Sequence, residues 1–189
     1  MPELFIIAGC NGAGKTTAAY MLLPDVFRTV EFVNADEIAR GLSPFNVEGV
    51  AFQAGRIMLE RLDYLIKERK SFAFETTLSG LSYLKLIRDA KLNNYNIIFF
   101  FVFLDSIDLA KQRVSIRVSK GGHSIPEDII ERRYIKGLKN FSQYAQEADD
   151  WYIYDNSGNE YQLVAKNVLG KEEIFNFEIF NQIVKNECS

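Results

Sequence analysis

Cysteine, histidine and positive charge are all scarce in this chain, and each scarcity narrows what it can be. Only two cysteines occur, Cys10 and Cys188, at opposite ends and without CxxC spacing. That excludes a disulfide framework and fits a reducing compartment. The formal net charge is −3 and the isoelectric point lies near 5.3, which argues against a nucleic-acid binder that uses its whole surface. The longest apolar run, residues 97–104, has eight residues, far fewer than the ~20 that a membrane helix needs. No basic stretch precedes the apolar LFII near the first residue, so no secretion signal is expected. No internal repeat and no low-complexity linker break the chain. These absences lead to the expectation of a cytoplasmic protein without membrane or nucleic-acid partners.

What is present points to one folded α/β domain over residues 1–189. Apolar residues make up 48% of the chain, enough for a substantial core in a single domain of this length. Short apolar runs alternate with helical patterns, the mark of a mostly parallel sheet with helices on both faces. Strands are expected at 4–9, 31–36, 71–77, 97–105 and 151–158, and helices at 16–23, 47–70, 81–93 and 107–145. Pro24 should stop the first helix. The segment 161–170 reads as an edge strand and 172–186 as a helix. Five strands with intervening helices describe a P-loop nucleotide-binding fold, and that class carries the strand order 2-3-1-4-5.

Residues 9–16, GCNGAGKT, satisfy every fixed position of G-x-x-x-x-G-K-[ST]. Gly9, Gly12 and Gly14 let the backbone turn its N–H groups inward, and Asn11, Ala13 and Thr17 complete the loop. The helix that starts near Lys15 adds its positive end. Lys15 is expected to reach the β- and γ-phosphates of ATP, and the Thr16 hydroxyl to ligate Mg²⁺. Cys10 sits at a variable position and reads as an indifferent small residue.

Ligands of open parallel sheets bind beyond the carboxyl ends of the strands. Four carboxylates fall there: Asp36, Glu75, Asp105 and Asp155. Asp36 is the candidate general base for an acceptor hydroxyl, with a plain helix cap as the competing reading. Glu75 ends an apolar strand, where a charge needs a partner or a task; with Thr76 and Thr77 it suits an acceptor hydroxyl or a magnesium-bound water. Asp105 imitates a metal-binding aspartate weakly, because any buried strand end can look that way. Arg56, Ser43 and the pair Pro44-Phe45 are expected to line an acceptor pocket between the second and third strands.

Residues 111–139 hold eight lysines and arginines against three acids. Arg113 and Arg117 share one helix face, and guanidinium groups suit phosphate oxygens. The segment reads as a basic lid, broken at Gly121-Gly122; Arg132 and Arg133 are weaker candidates for the same task. His123, the chain's one histidine, lies in the break. It is either exposed surface or a contact to phosphate or substrate.

The stretches GCNGAGKTT, VNADEIARGLSPF, AGR at 54–56, SFAFETTLSG, RVSIRVSKGGHSIPEDIIERRY and YDNSG resemble the zeta-toxin-like P-loop kinases. They are closer still to the compact bacterial branch called predicted ABC-type ATPases, although no LSGGQ-type signature is present. The resemblance spans about residues 4–158. It implies a phosphotransferase acting on a hydroxyl of a small molecule, a sugar nucleotide such as UDP-N-acetylglucosamine, with Asp36 as base and Arg113 or Arg117 on the γ-phosphate. Glu75 and Thr77 would correspond loosely to its acceptor pocket, and an antitoxin protein would be a partner. The residues alone leave two alternatives open: an NTPase with water as acceptor, and a nucleotide-sensing switch that binds a partner.

Overall fold

The computed structural model describes residues 1–23 and 29–185; the expected helix stop at Pro24 and the second cysteine, Cys188, lie outside them. Strand β1 (Glu3–Ala8) leads through the glycine-rich loop into helix α1 (Lys15–Leu22). Strand β2 (Phe32–Val33) is followed by α2 (Ala35–Leu42), a 3₁₀ turn at Glu48–Val50 and α3 (Ala51–Lys67). Then come β3 (Phe72–Thr76), α4 (Ser82–Leu92), β4 (Asn96–Phe103), α5 (Ile107–Ser119) and α6 (Glu127–Glu147). The chain closes with β5 (Asp150–Asp155), β6 (Gln162–Val168), β7 (Lys171–Ile174) and α7 (Phe177–Lys185).

One sheet joins all seven strands in the order β2-β3-β1-β4-β5-β6-β7. The expected order 2-3-1-4-5 is therefore borne out, and these five strands run parallel. The count of five is corrected to seven, because β6 and β7 extend the sheet as antiparallel neighbours of β5. The expected helix over 172–186 starts only at Phe177; residues 171–174, KEEI, form the outer edge strand instead. Nothing apolar alternates in KEEI, and an edge strand with one neighbour and mostly exposed side chains leaves no such pattern in a sequence.

Period-two alternation divides each parallel strand between two apolar layers. Leu4 and Ile6 of β1, Phe72 and Phe74 of β3, and Phe99 and Phe101 of β4 face the larger layer. Phe5, Ile7, Ala73, Ile98 and Phe100 face the smaller one, where Ala19 of α1 covers them. In the larger layer Phe99 lies 5.7 Å from Phe141 and 6.3 Å from Tyr144, ring centre to ring centre. Helix α6 thereby packs on the middle strand of the sheet. Phe99 is fully buried, so Phe99→Ala is expected to lower stability by about 3–5 kcal/mol, read as a lower midpoint in chemical unfolding.

This packing also builds the site. From α6, the Tyr144 hydroxyl donates to the Gly80 carbonyl (2.7 Å), and the Asn140 amide to that of Leu78 (2.7 Å). The loop leaving β3 is thus pinned by the helix that caps the core. Leu78 is fully buried and holds a left-handed backbone with φ 54°, a conformation that costs a side-chain-bearing residue about 1–2 kcal/mol. Strain of this kind persists where surroundings fix it and tends to lie at functional sites.

Candidate functional site

Parallel pairing sets Ile7 beside Glu75 and Ala8 beside Thr76, so the end of β3 stands next to the start of the glycine-rich loop. The Gly9 amide donates to the Thr76 carbonyl at 3.3 Å. A Cβ on Gly9 would lie 2.2 Å from the Val102 carbonyl oxygen, so no other residue fits there. At the far end of the loop, the Asn156 amide donates to the Ala13 carbonyl (2.8 Å) and the Tyr161 hydroxyl to the Gly14 carbonyl (2.9 Å). Holding these carbonyls outward leaves the loop amides free to face a phosphate chain.

Lys15 is buried. Its ammonium donates to the Cys10 carbonyl at 2.9 Å and lies 3.4 Å from Glu75 Oε1. The other carboxylate oxygen, Oε2, accepts from the Thr16 hydroxyl (2.6 Å) and from the Asn34 amide (2.9 Å). Glu75 thus joins the phosphate-loop lysine, the hydroxyl expected to hold Mg²⁺ and the second strand's exit. A hydroxyl and a carboxylate side by side are hard oxygen donors, and they fit Mg²⁺. Burial pushes the Cys10 thiol up to about 11, with the nearby Lys15 charge opposing it; the thiol stays protonated and unreactive at neutral pH.

Asn34, not Asp36, caps α2: its side-chain oxygen accepts from the amides of Asp36 (2.8 Å) and Glu37 (3.4 Å). Asp36 is left free of that task and stands in the first helical turn, where the helix dipole favours a carboxylate. The signal was in the sequence, since Asn34 followed by Glu37 has the spacing of a capping box.

Two cavities meet over these residues. The first, about 260 Å³, lies above the glycine-rich loop and is lined by Thr16, Thr17, Arg40, Arg113, Arg117 and His123. The second, about 320 Å³, lies toward the loop after β3 and is lined by Thr77, Ser79, Ser82, Tyr83 and Arg133. Asn11, Lys15, Asn34, Asp36 and Glu75 border both.

Of the residues expected at the site, the structure brings the glycine-rich loop, Asp36, Glu75, Thr77, Arg113 and Arg117 together. Arg113 is held by the carbonyls of Ser157 (3.4 Å) and Gly158 (3.3 Å). Arg133 joins them from α6, with Nη1 3.3 Å from the Asn11 side-chain oxygen, while Arg132 is exposed. Arg56 is not brought in: it lies on the outer face of α3, its side chain 68% exposed, beside Glu60 at 3.9 Å. Phe45 is likewise fully exposed, and neither it, Ser43 nor Pro44 lines a cavity described above, because α2 carries the following loop away from the strand ends. Asp105 turns to the Ser106 hydroxyl (3.0 Å) and Asp155 to the Ser157 amide (2.9 Å). Of the four strand-end carboxylates, only Asp36 and Glu75 border the two cavities. Asn34, Ser79 and Asn156 lie in stretches that carry the resemblance but were not singled out there; Ser82, Tyr83 and Tyr161 escaped the sequence reading, and nothing but tertiary contact marks them.

The sequence model of the family described as Zeta toxin matches residues 1–167. An uncharacterized protein of Haemophilus influenzae is 32% identical over 126 residues, which cover 67% of this chain and 88% of that one. Among solved structures, the AvrRxo1-ORF1:-ORF2 complex with ATP superposes with a TM-score of 0.81 at 16% identity; the match covers the whole of this chain and 65% of that one. The chain therefore spans about two thirds of that relative's length. A structure of the PezAT chromosomal toxin-antitoxin system of Streptococcus pneumoniae gives a TM-score of 0.65 at 14% identity, covering 98% of this chain and 86% of its own. At these identities the structural likenesses show the fold.

Proposed function

This chain belongs to the zeta toxin family, and on that premise we propose that it is an ATP-dependent kinase of a small hydroxyl-bearing molecule. The observation that carries the reading is the pair of cavities that share Lys15, Asp36 and Glu75. A plain NTPase or a nucleotide-sensing switch needs one compartment; phosphoryl transfer between two substrates needs two with a common wall. The glycine-rich cavity takes the phosphate chain of ATP, and the hydroxyl-lined cavity takes the acceptor. Thr77, Ser79 and Ser82 offer hydroxyls and Arg133 a cation, which suits a polyhydroxylated anion such as a sugar nucleotide, UDP-N-acetylglucosamine in the family's pattern.

In this reading the Asp36 carboxylate takes the proton of the acceptor hydroxyl, whose oxygen attacks the γ-phosphorus as ADP leaves. Lys15, Arg113 and Arg117 neutralise the charge on the transferring phosphoryl group. Thr16 and Glu75 would hold Mg²⁺, which shields the phosphate chain. Because two arginines share the load, Arg113→Ala and Arg117→Ala should each lower kcat by less than the ~10²-fold of a lone donor, and should leave ATP binding nearly unchanged. Equal turnover in both variants and the parent would make this helix face mere surface.

Incubation with Mg²⁺-ATP and a panel of nucleotide sugars, followed by mass spectrometry, tests the proposal. A phosphorylated product is expected. ADP release that ignores every acceptor would favour the NTPase, and tight ATP binding without turnover the switch. Family membership and the likeness to the PezAT chain also support an antitoxin protein as partner; growth arrest on expression of the chain alone would bear on that.

A further inference from the structure

The break between α5 and α6 does something the phosphate chemistry leaves unused. Helix α5 ends with the Gly121 amide on the Val118 carbonyl and the Gly122 amide on that of Arg117, both at 2.9 Å. The chain doubles back so tightly that a Cβ on Gly122 would meet Arg117 Cγ at 2.7 Å. This turn delivers His123 into the glycine-rich cavity. Arg117 secures it there, with Nη2 3.4 Å from the His123 carbonyl oxygen. The imidazole is only 10% exposed, and its Nε2 lies 3.8 Å from Asp36 Oδ2. Its Nδ1 is buried with no hydrogen-bond partner.

We propose that His123 is the positioning residue for Asp36: its Nε2–H holds one oxygen of that carboxylate and leaves the other free for the acceptor hydroxyl. The inference rests on the kinase reading above. The unpartnered Nδ1 selects the tautomer, since an orphaned buried N–H is rarer than an orphaned acceptor. With Nδ1 bare, the hydrogen sits on Nε2, the nitrogen that faces Asp36. A small closure of the turn converts 3.8 Å into a hydrogen bond, and a fixed carboxylate is worth rate because misplacement by about 1 Å costs roughly 10²-fold.

The surrounding charges set when this works. Asp36 and Arg40 on α2, Glu48 on the 3₁₀ turn and Arg117 on α5 all act on the imidazole. Burial pushes its pKa below the usual histidine value; Arg117 and Arg40 push the same way, against Asp36 and Glu48. The ring is therefore neutral at neutral pH and gains a proton only in acid. The imidazolium then pairs with Asp36, competes with the acceptor hydroxyl for that carboxylate and slows transfer. Acid should thus cost activity as the ring takes up its proton.

Because the chain has one histidine, its Cε1–H proton gives a single NMR titration curve without assignment. In Asp36→Asn the imidazole pKa should fall further, by about half a unit or more, the effect of a unit charge ~4 Å away in water-like surroundings. An unchanged curve in that variant would overturn the proposal. In steady-state assays His123→Ala should lower kcat about 10- to 100-fold with KM for ATP unchanged. His123→Gln, which keeps a neutral donor, should recover most of that loss at neutral pH and remove one ionisation from the acid limb of kcat. Parent-like kcat and acid limb in both variants would also overturn it. A curve that responds to Asp36→Asn in a protein that transfers no phosphoryl group would sink the kinase reading, and with it the role of His123, while the contact itself stands; the two failures are told apart.

Discussion

Lys15→Ala is expected to abolish nucleotide-dependent turnover, a loss of about 10³-fold or more. The ammonium is the one cation at the floor shared by both cavities that comes from the glycine-rich loop itself. It is placed there by the Cys10 carbonyl and Glu75. Removing it takes away the charge that meets the phosphate chain in a buried, poorly screened place. It also leaves the half-buried Glu75 carboxylate without its cation, though Thr16 and Asn34 still donate to it. The fold should therefore survive at a cost of about 1–3 kcal/mol, visible as a lower melting temperature. Comparing turnover with thermal unfolding separates the two effects, and a fully active Lys15→Ala protein would remove the glycine-rich loop from the argument altogether.

Asp36→Asn is expected to lower kcat about 10²–10⁴-fold while ATP binds as before. The amide keeps the size and the place in the first turn of α2, and Asn34 still caps that helix. What is lost is the ability to take a proton. The side chain is 44% exposed, so the substitution asks little of the core. Isothermal titration with ATP and a product assay measure the two quantities separately. A variant that transfers at the parent rate would mean that the acceptor loses its proton to water or to a phosphate oxygen. ATP hydrolysis that persists at the parent rate while the acceptor product vanishes would instead show Asp36 serving the acceptor alone.

The parallel half of the fold was readable because buried parallel strands announce themselves. Phe99 and its neighbours on β4 form an unbroken apolar run, and such a run belongs in the middle of a sheet. The edge β7 was unreadable for the opposite reason: Lys171–Ile174 meets one neighbour, faces water and has no apolar period. At the site, the glycine-rich loop was readable because its spacing is dictated by backbone geometry within eight residues. Asp36, Arg113 and Arg117 were readable because they follow strand ends or share a helix face. Arg56 misled for a related reason. Its place in the chain between the second and third strands suggested the pocket there, whereas the helical period of α3 turned it outward to Glu60.

The sequence by itself determined the class of fold and the phosphate-binding loop, because each depends on local spacing or on runs of one chemical kind; the order of the five parallel strands came with that class and not from any spacing. Tertiary structure decided what that loop works with. Glu75 against Thr16, Asn156 and Tyr161 against the loop carbonyls, and Arg133 against Asn11 are contacts across 59 to 147 residues of chain. No periodicity connects residues that far apart. Parallel pairing of β3 with β1 brings Glu75 to the loop, the connection from β5 to β6 brings Asn156 and Tyr161, α6 brings Arg133, and the tight turn at Gly122 brings His123.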